Sequence, residues 1–359
     1  MVAATHGPLA GVRIVEFDAA GAIPLACMIL ADMGCDVVRI RRPGTDGSAV
    51  APVLFRGRSE VTLDLNDPAG REQAFALITC ADGLVEGYRP GIMEQLDLAP
   101  QRCIAANPAL VFARVSGMGH GGPWSTKASN DINHLALSGA LHAIGTPATP
   151  VPPLNLVGEY AGGAMHLALG LVAGILSAQA TGRGQVIDVA ELDGVASMLT
   201  LYYALHETGR WVDARGANLI DGGAPFYRCY ACADGRHVAV GALEPTRFRA
   251  LCAGLEIEMD RFKQFDRACW AAMAEAFSAA FATRTRDEWA GFFENREACV
   301  TPVLSLDEAP DHPHNRARGI FGTPLGPVQP MPAPRFSQSP SQVVPAEQAD
   351  VDTILSRWG

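Results

Sequence analysis

Short β-branched segments alternate with helix-like segments throughout residues 11–120, and this alternation constrains the fold more than any other feature of the chain. The strand-like segments read VRIVEF, DVVRI, VTLDL, LVEGY and LVFARVSG, and a clear helical segment, REQAFALITCADG, separates two of them. Parallel strands need long crossover connections, which helices usually provide. The alternation therefore predicts an α/β fold with a parallel sheet, whose ligands would bind at the loops that follow the strands.

The texture of the sequence changes after residue 205. A strand-like segment and a long helical segment end there, and the irregular stretch RWVDARGANLIDGGA follows. This change predicts a linker over residues 206–224. Residues 225–324 begin with two short strand-like segments joined by the turn ADGR and continue into helical segments, which predicts a smaller α+β domain. A segment rich in Pro, Ser and Gln, residues 322–346, precedes a last predicted helix at about 347–357.

The charge distribution argues against nucleic acid as a partner. The chain has 28 Lys and Arg against 38 Asp and Glu, a formal net charge of −10, and it contains no basic tract. Residues 161–180 are uncharged and long enough to span a bilayer. Their small residues and His166 favour a buried helix instead, so no membrane partner is expected.

Cysteine usage indicates a reducing compartment. The nine cysteines are spread singly through a chain too long to depend on disulfide bonds, and the start of the chain shows no secretory signal, so we expect a cytoplasmic location. Cys229 and Cys232 form an isolated CxxC in a predicted strand, where ordinary strand residues are a better interpretation than metal or redox chemistry. No metal site is predicted.

Two common catalytic motifs are missing. No GxGxxG follows the first strand, which removes the main support for a bound dinucleotide. No GxSxG is present, and Ser138, Ser177 and Ser197 lie inside helical patterns, so a serine hydrolase is poorly supported.

Three carboxylates are candidates for chemistry because each abuts a flexible or apolar segment: Asp131, Glu159 and Glu244. A partly buried carboxylate with a raised pKa can act as a general base or as a nucleophile. Each also has an ordinary alternative, as a helix cap or a first-turn charge, and taken alone that alternative is the more frequent one.

Arginines gather in the α/β half of the chain, at Arg39, Arg41, Arg42, Arg56, Arg58 and Arg89. Guanidinium groups bind phosphates well, and strand-end arginines are equally often solvated charges. Spacing alone favours neither interpretation.

The chain closely resembles the α-methylacyl-CoA racemases of the class III CoA-transferase superfamily, over residues 8 to about 337. The resemblance is carried by GPLAGVRIVEF, ILADMGCDVVRIRRPG, EGYRPGIMEQL, DIN, PPLNLVGEYAGG, RGANLIDGGAPFY, VAVGALEP and ACVTPVL. It implies an interlocked homodimer in which each chain has a Rossmann-like large domain, here residues 1–205 and 325–359, and a small domain, here 225–324. The active site would lie between the large domain of one chain and the small domain of the other.

The resemblance also implies a substrate and a binding site for it. The substrate would be an acyl-CoA, so that coenzyme A enters as part of the substrate and no separate cofactor is needed. The residues that correspond to the family's CoA site are Arg42, Thr62, Leu63, Asp64, Leu65, Glu86, Gly87, Tyr88 and Arg89.

Racemases of this family place two proton-transferring groups on opposite faces of the substrate α-carbon, a histidine before DIN and an aspartate before the aromatic-Ala-Gly-Gly stretch. Here these positions hold Asn130 and Glu159. Glu159 keeps a carboxylate, whereas the amide of Asn130 has no useful pKa for proton transfer. Asp131 and Glu244 match family carboxylates near the missing histidine.

His134 replaces a tyrosine of the family pattern and lies one helical turn beyond Asn130. It would either supply the missing base or be a core histidine whose hydrogen bonds are satisfied. The resemblance thus predicts an isomerase that racemises a 2-methylacyl-CoA through an enolate. Alternatives are a CoA transferase with Glu159 as nucleophile, a single-base isomerase or lyase, and a non-catalytic acyl-CoA binder.

Overall fold

The computed structural model describes residues 6–44 and 52–359. The strands are β1 Arg13–Phe17, β2 Asp36–Arg41, β3 Arg58–Thr62, β4 Gly83–Glu86, β5 Val111–Ser116, β6 Gln185–Ala190, β7 Tyr227–Ala231, β8 His237–Gly241, β9 Val300–Pro302, β10 Phe321–Gly322, β11 Gln329–Pro330 and β12 Glu347–Gln348. The α-helices are α1 Ala22–Asp32, α2 Pro68–Cys80, α3 Ile92–Gln95, α4 Pro100–Ala106, α5 Asp131–Ser138, α6 Ala140–Ala143, α7 His166–Thr181, α8 Glu191–Met198, α9 Thr200–Glu207, α10 Pro245–Gly254, α11 Trp270–Phe281, α12 Arg286–Phe293, α13 Pro313–Arg318 and α14 Val351–Trp358. A π-helical segment, Leu156–Met165, runs directly into α7.

The larger of two units comprises residues 6–44, 52–138, 153–199 and 316–359 of the described chain and is built on one parallel sheet. Its strand order is β12-β3-β2-β1-β4-β5-β6, and Val15 of β1 pairs with Val38 of β2 and Leu84 of β4. This is the doubly wound order, with a topological switch point between β1 and β4. The predicted α/β fold with a Rossmann-like parallel sheet is therefore confirmed.

Apolar side chains fill both faces of this sheet. In β1, Ile14 packs in the cluster that holds α1 and α7, while Val15 and Phe17 pack in the cluster that holds α2 and α14. The alternation follows from the strand period of two, which sends successive side chains to opposite faces. Burial on both faces is what a parallel sheet requires, and it explains the nearly continuous apolar strands of the sequence.

The smaller unit comprises residues 139–152 and 200–315. Its sheet is antiparallel, in the order β7-β8-β9, and α10, α11 and α12 contribute to an aromatic-rich core beside it. A capping box begins α12, since Thr285 and Glu288 each accept a hydrogen bond from the other's backbone N–H. Antiparallel strands packed with helices make this unit α+β.

The boundaries of the units differ from the expected ones. Residues 139–152 and 206–224 both belong to the smaller unit, where the guanidinium of Arg215 donates to the carbonyls of His142 and Thr146. The expected linker is thus a folded part of that unit. The return to the larger unit comes at residue 316 rather than 325, and Arg56 holds the returning chain by donating to Gln329 and Pro330.

The helical segment Leu156–Thr181 is long and apolar enough to span a membrane, the only such helix in the described residues. Half of its most apolar window is buried inside the protein. Leu167, Leu171 and Ile175 are buried in the sheet-facing cluster, whereas Leu169 and Leu176 are 70% and 67% exposed. The expectation of a buried helix holds for one face of it only.

Candidate active site

Two loops meet at the switch point of the larger sheet, where doubly wound folds bind their ligands. One follows β1 and contains Ala19 and Gly21, and the other follows β4 and contains Gly87. A Cβ at Gly87 would lie 2.8 Å from Cδ1 of Ile23 and 3.3 Å from the Cβ of Ala19. The glycine thus lets the loop after β4 pack against the loop after β1.

Glu159 lies on the π-helical segment beside the first of these loops. Its carboxyl carbon is 3.7 Å from the point that a Cβ on Gly21 would occupy, and its Oε1 accepts a hydrogen bond from Nδ2 of Asn155 at 2.9 Å. Partial burial raises the pKa of the Glu159 carboxyl, the bond from Asn155 opposes that shift, and the nearby Glu191 and Asp131 charges add to it. A carboxylate whose pKa is raised is a stronger base than an exposed one, which suits the group to accept a proton.

Asp131 and Asn130 stand at the start of α5. Oδ1 of Asp131 accepts the backbone N–H of Glu159 at 2.6 Å, which ties α5 to the π-helical segment. Asn130 is exposed, and its own backbone N–H donates to Oδ1 of Asn133 at 3.0 Å. Asp131 therefore holds Glu159 in place, while the Asn130 amide remains open to solvent.

His134 is 2% exposed. Its Nε2 lies 2.9 Å from Oγ of Ser129, and its Nδ1 lies 2.8 Å from Oε2 of Glu191. Each ring nitrogen thus has a polar neighbour inside the protein. The placement agrees with an enclosed histidine.

A cleft of 440 Å³ opens beside this cluster. It brings the predicted CoA-site residues Gly87, Tyr88 and Arg89 together with Asn130. The other described residues that line it are Pro90, Val115, Ser116, Gly117, Met118, Ser125, Thr126, Lys127, Ala128, Ser129 and Asn133. Arg89 and Lys127 carry positive charge and no carboxylate is among these lining residues, which favours an anionic ligand.

Some of the remaining residues predicted to bind CoA are exposed, and others are buried. The guanidinium of Arg42 lies over the ring of Tyr88, 5.0 Å from its centroid. Thr62 and Asp64 are exposed, whereas Leu63 and Leu65 are buried in the sheet core. Along residues 62–65 only alternate side chains and the backbone are therefore open to a ligand.

Glu86 has a supporting position instead of a ligand-facing one. It is fully buried, and it accepts hydrogen bonds from the backbone N–H of Tyr88 and from Nε of Arg114, both at 2.7 Å. Burial raises the pKa of its carboxyl, and the bonds from Arg114 and Tyr88 oppose the shift. The residue fixes the turn that presents Tyr88 and Arg89.

Four of the six clustered arginines are structural. They are paired with carboxylates: Arg39 with Asp18 and Glu60, Arg41 with Glu60, Arg56 with Asp32, and Arg58 with Glu16. The guanidinium groups of these four residues are therefore engaged by carboxylates of the protein itself. Arg42 and Arg89, in contrast, are exposed.

Glu244 belongs to the smaller unit, where it is the exposed N-cap residue of α10. Sequence reasoning did not single out Asn155, Ser129, Lys127 or Glu191, which contact the candidate residues or line the cleft. Glu191 follows the carboxyl end of β6, and that position was the signal available for it. Within residues 6–44 and 52–359, no three His, Cys, Asp or Glu side chains are grouped as metal ligands would be.

Comparisons with known proteins identify the family of the chain. The family model described as CoA-transferase family III matches residues 9–348. The alpha-methylacyl-CoA racemase of Mus musculus is 41% identical over 345 residues, covering 95% of this chain and 89% of that protein. The alpha-methylacyl-CoA racemase of Homo sapiens is 39% identical over 360 residues, covering 98% and 93%.

A solved structure shows the same fold. A CAIB/BAIF family protein from Brucella suis superposes with a TM-score of 0.82 at 21% sequence identity, covering 99% of this chain and 100% of that one. The family model and the racemase relatives confirm the predicted family and the predicted racemase-like enzyme class. The chain belongs to CoA-transferase family III.

Proposed function

We propose that the protein transfers the α-proton of a 2-methylacyl-CoA or related acyl-CoA thioester, racemising or epimerising the α-carbon through an enolate. The observation that carries the proposal is the Glu159 carboxyl, a half-buried group at the switch point whose pKa is raised by burial. The similarity to racemases over nearly the whole chain supports the substrate class.

The proposed site assigns separate roles to its residues. Glu159 is one base, held by Asp131 and Asn155. Arg42, Tyr88, Arg89 and the backbone of residues 62–65 bind the CoA moiety, with Lys127 adding positive charge to the cleft. Coenzyme A is part of the substrate, and no resident cofactor takes part.

Proton transfer is tested by incubating the protein with (S)-2-methylbutyryl-CoA in D2O. Deuterium at the α-carbon with inversion supports racemisation, and deuterium without inversion supports a single-base isomerase. Glu159→Gln should reduce exchange at least about 100-fold, because the amide cannot take the proton. Glu294→Gln, at an exposed carboxylate of the smaller unit, is the control and should exchange at the wild-type rate. A Glu159→Gln variant as active as wild type would contradict the proposal.

A CoA transferase is the second candidate, and Asn130 favours it. The amide stands exposed at the cleft where a racemase of this family has histidine, while the carboxylate that a transferase uses as nucleophile is kept at Glu159. Adding a free carboxylate acceptor separates the two candidates. A new thioester that forms only with the acceptor supports transfer.

We also propose that a second copy of the chain covers the exposed side of α7. Leu169 and Leu176 lie on the face of α7 that points away from the core, and they are 70% and 67% exposed. Val186, on the edge strand β6, is 46% exposed. Contiguous exposed apolar surface is typical of an interface between subunits. Light scattering should give the mass of a homodimer, and Leu176→Glu should shift it toward a monomer.

A further inference from the structure

A serine, a histidine and a glutamate contact one another in series beside the cleft. Oγ of Ser129 lies 2.9 Å from Nε2 of His134. On the other side of the ring, Oε2 of Glu191 lies 2.8 Å from Nδ1. A hydroxyl, an imidazole and a carboxylate in this order are the arrangement that activates a serine as a nucleophile.

The surroundings of the three residues fit that use. His134 is 2% exposed and Glu191 is 9% exposed, whereas Ser129 is half-buried and lines the cleft. Within the described chain Nδ1 of His134 has no aligned hydrogen bond, so Glu191 acts on the ring through its charge at close range. The two supporting groups are enclosed, and the hydroxyl is the member that a substrate reaches.

Gly117 makes room for the contact between Ser129 and His134. A Cβ at position 117 would overlap Nε2 of His134 and would lie 2.9 Å from Oγ of Ser129. Any side chain there would push the hydroxyl and the ring apart. Gly117 and Ser129 both line the cleft.

We propose that Ser129, His134 and Glu191 hydrolyse an acyl-CoA thioester, a reaction separate from proton transfer at Glu159. Oγ of Ser129 attacks the carbonyl carbon while Nε2 of His134 takes the hydroxyl proton. The bond from that carbon to sulfur breaks, His134 gives the proton to the thiolate, and free coenzyme A leaves.

The second half of the reaction restores the enzyme. Water attacks the Ser129 ester as His134 takes its proton, the carboxylic acid is released, and His134 returns the proton to Oγ. Glu191 is a positioning residue, because it acts on the substrate only through the imidazole. The inference shares with the proposed function only the premise that an acyl-CoA enters the cleft.

Hydrolysis is measured as thiol release from isobutyryl-CoA, whose α-carbon is not a stereocentre. Ser129→Ala and His134→Gln should each slow the release at least about 100-fold, as loss of a nucleophile or its base does. Ser278→Ala removes an exposed hydroxyl on α11 of the smaller unit, outside the cleft, and should release thiol at the wild-type rate. Glu191→Gln should slow the release about 10-fold or more, and Glu191→Asp, which keeps the charge, should restore part of it.

A fluorophosphonate probe tests the nucleophile without any CoA. Mass spectrometry should find the probe on Ser129 in the wild type and on no serine of this site in His134→Gln. Melting temperatures confirm that each variant is folded. A probe that does not label Ser129 in the wild-type protein, or a folded Ser129→Ala variant that releases thiol at the wild-type rate, overturns the inference.

The two proposals fail separately. Deuterium exchange at the α-carbon reports on Glu159, and thiol release and probe labelling report on Ser129. Exchange without thiol release overturns hydrolysis alone, and thiol release without exchange overturns proton transfer alone.

Discussion

The backbone N–H of Glu159 donates to Oδ1 of Asp131 over 2.6 Å, which joins the candidate base to a second carboxylate on another helix. Gly158 permits this approach, since a Cβ there would overlap the same oxygen. Burial is the largest cause of the raised pKa of Glu159, and the charges of Glu191 and Asp131 contribute in the same direction. One contact therefore affects both the position and the basicity of Glu159.

Asp131→Asn should shift the pH dependence of α-proton exchange to lower pH. The amide oxygen still accepts the Glu159 N–H, but the negative charge that raises the pKa of Glu159 is lost. A general base acts in its deprotonated form. The acidic limb of the pH–rate profile should therefore move to lower pH as the pKa of Glu159 falls. Asp352→Asn, at an exposed carboxylate of α14, should leave the limb in place. An unmoved limb in Asp131→Asn would show that the carboxylate does not influence the base.

Asn155→Leu should shift the same limb in the opposite direction. The side-chain N–H of Asn155 stabilises the charged form of Glu159 across 2.9 Å and so lowers its pKa. Without that bond the pKa rises, and at a fixed pH below the limb the exchange rate falls. The double variant Asp131→Asn with Asn155→Leu should lie between the two single variants in a pH profile. Two shifts in the same direction would contradict the assigned contacts.

The fold was largely predictable because its signals are local. Strands of the larger sheet are continuous apolar segments between helices, which is what burial on both faces requires. The unit boundaries were not predictable in the same way. Residues 139–152 join the smaller unit through bonds from Arg215, more than 60 residues later in the chain, and such contacts leave no trace in local composition.

Local sequence signals identified part of the candidate site, and the rest depends on contacts between distant residues. Asp131 and Glu159 stood out because each opens a helical segment beside glycine or apolar residues, and the structure brings them together. The six arginines looked equivalent in sequence. Arg58 is paired with Glu16, 42 residues away, whereas Arg89 is exposed at the cleft, and only the packing of the sheet separates these two cases.

Arg58→Met should therefore destabilise the protein strongly. Arg58 and Glu16 are both fully buried and lie 3.0 Å apart, so the variant leaves a buried carboxylate without its partner at a cost of about 3–5 kcal/mol. Urea denaturation measures the loss. Arg102→Met is the matched control, because Arg102 is also paired with carboxylates, Glu72 and Asp97, but is 30% exposed, and it should change stability by less than about 1 kcal/mol. Equal effects of the two variants would refute the structural role of Arg58.

Gly194→Ala should weaken both folding and proton exchange. A Cβ at Gly194 would overlap the carbonyl oxygen of Gly162, so α8 must move away from the π-helical segment that carries Glu159. Overpacking of this kind costs about 1–3 kcal/mol, and a shift in the base slows a reaction that depends on its position. Gly291→Ala is the control, since Gly291 is exposed within α12 and the point that its Cβ would occupy is open space. That variant should raise the free energy of unfolding by roughly 0.5–1 kcal/mol through helix propensity. Thermal unfolding and deuterium exchange on both variants check the prediction, which fails if Gly194→Ala is as stable and active as wild type.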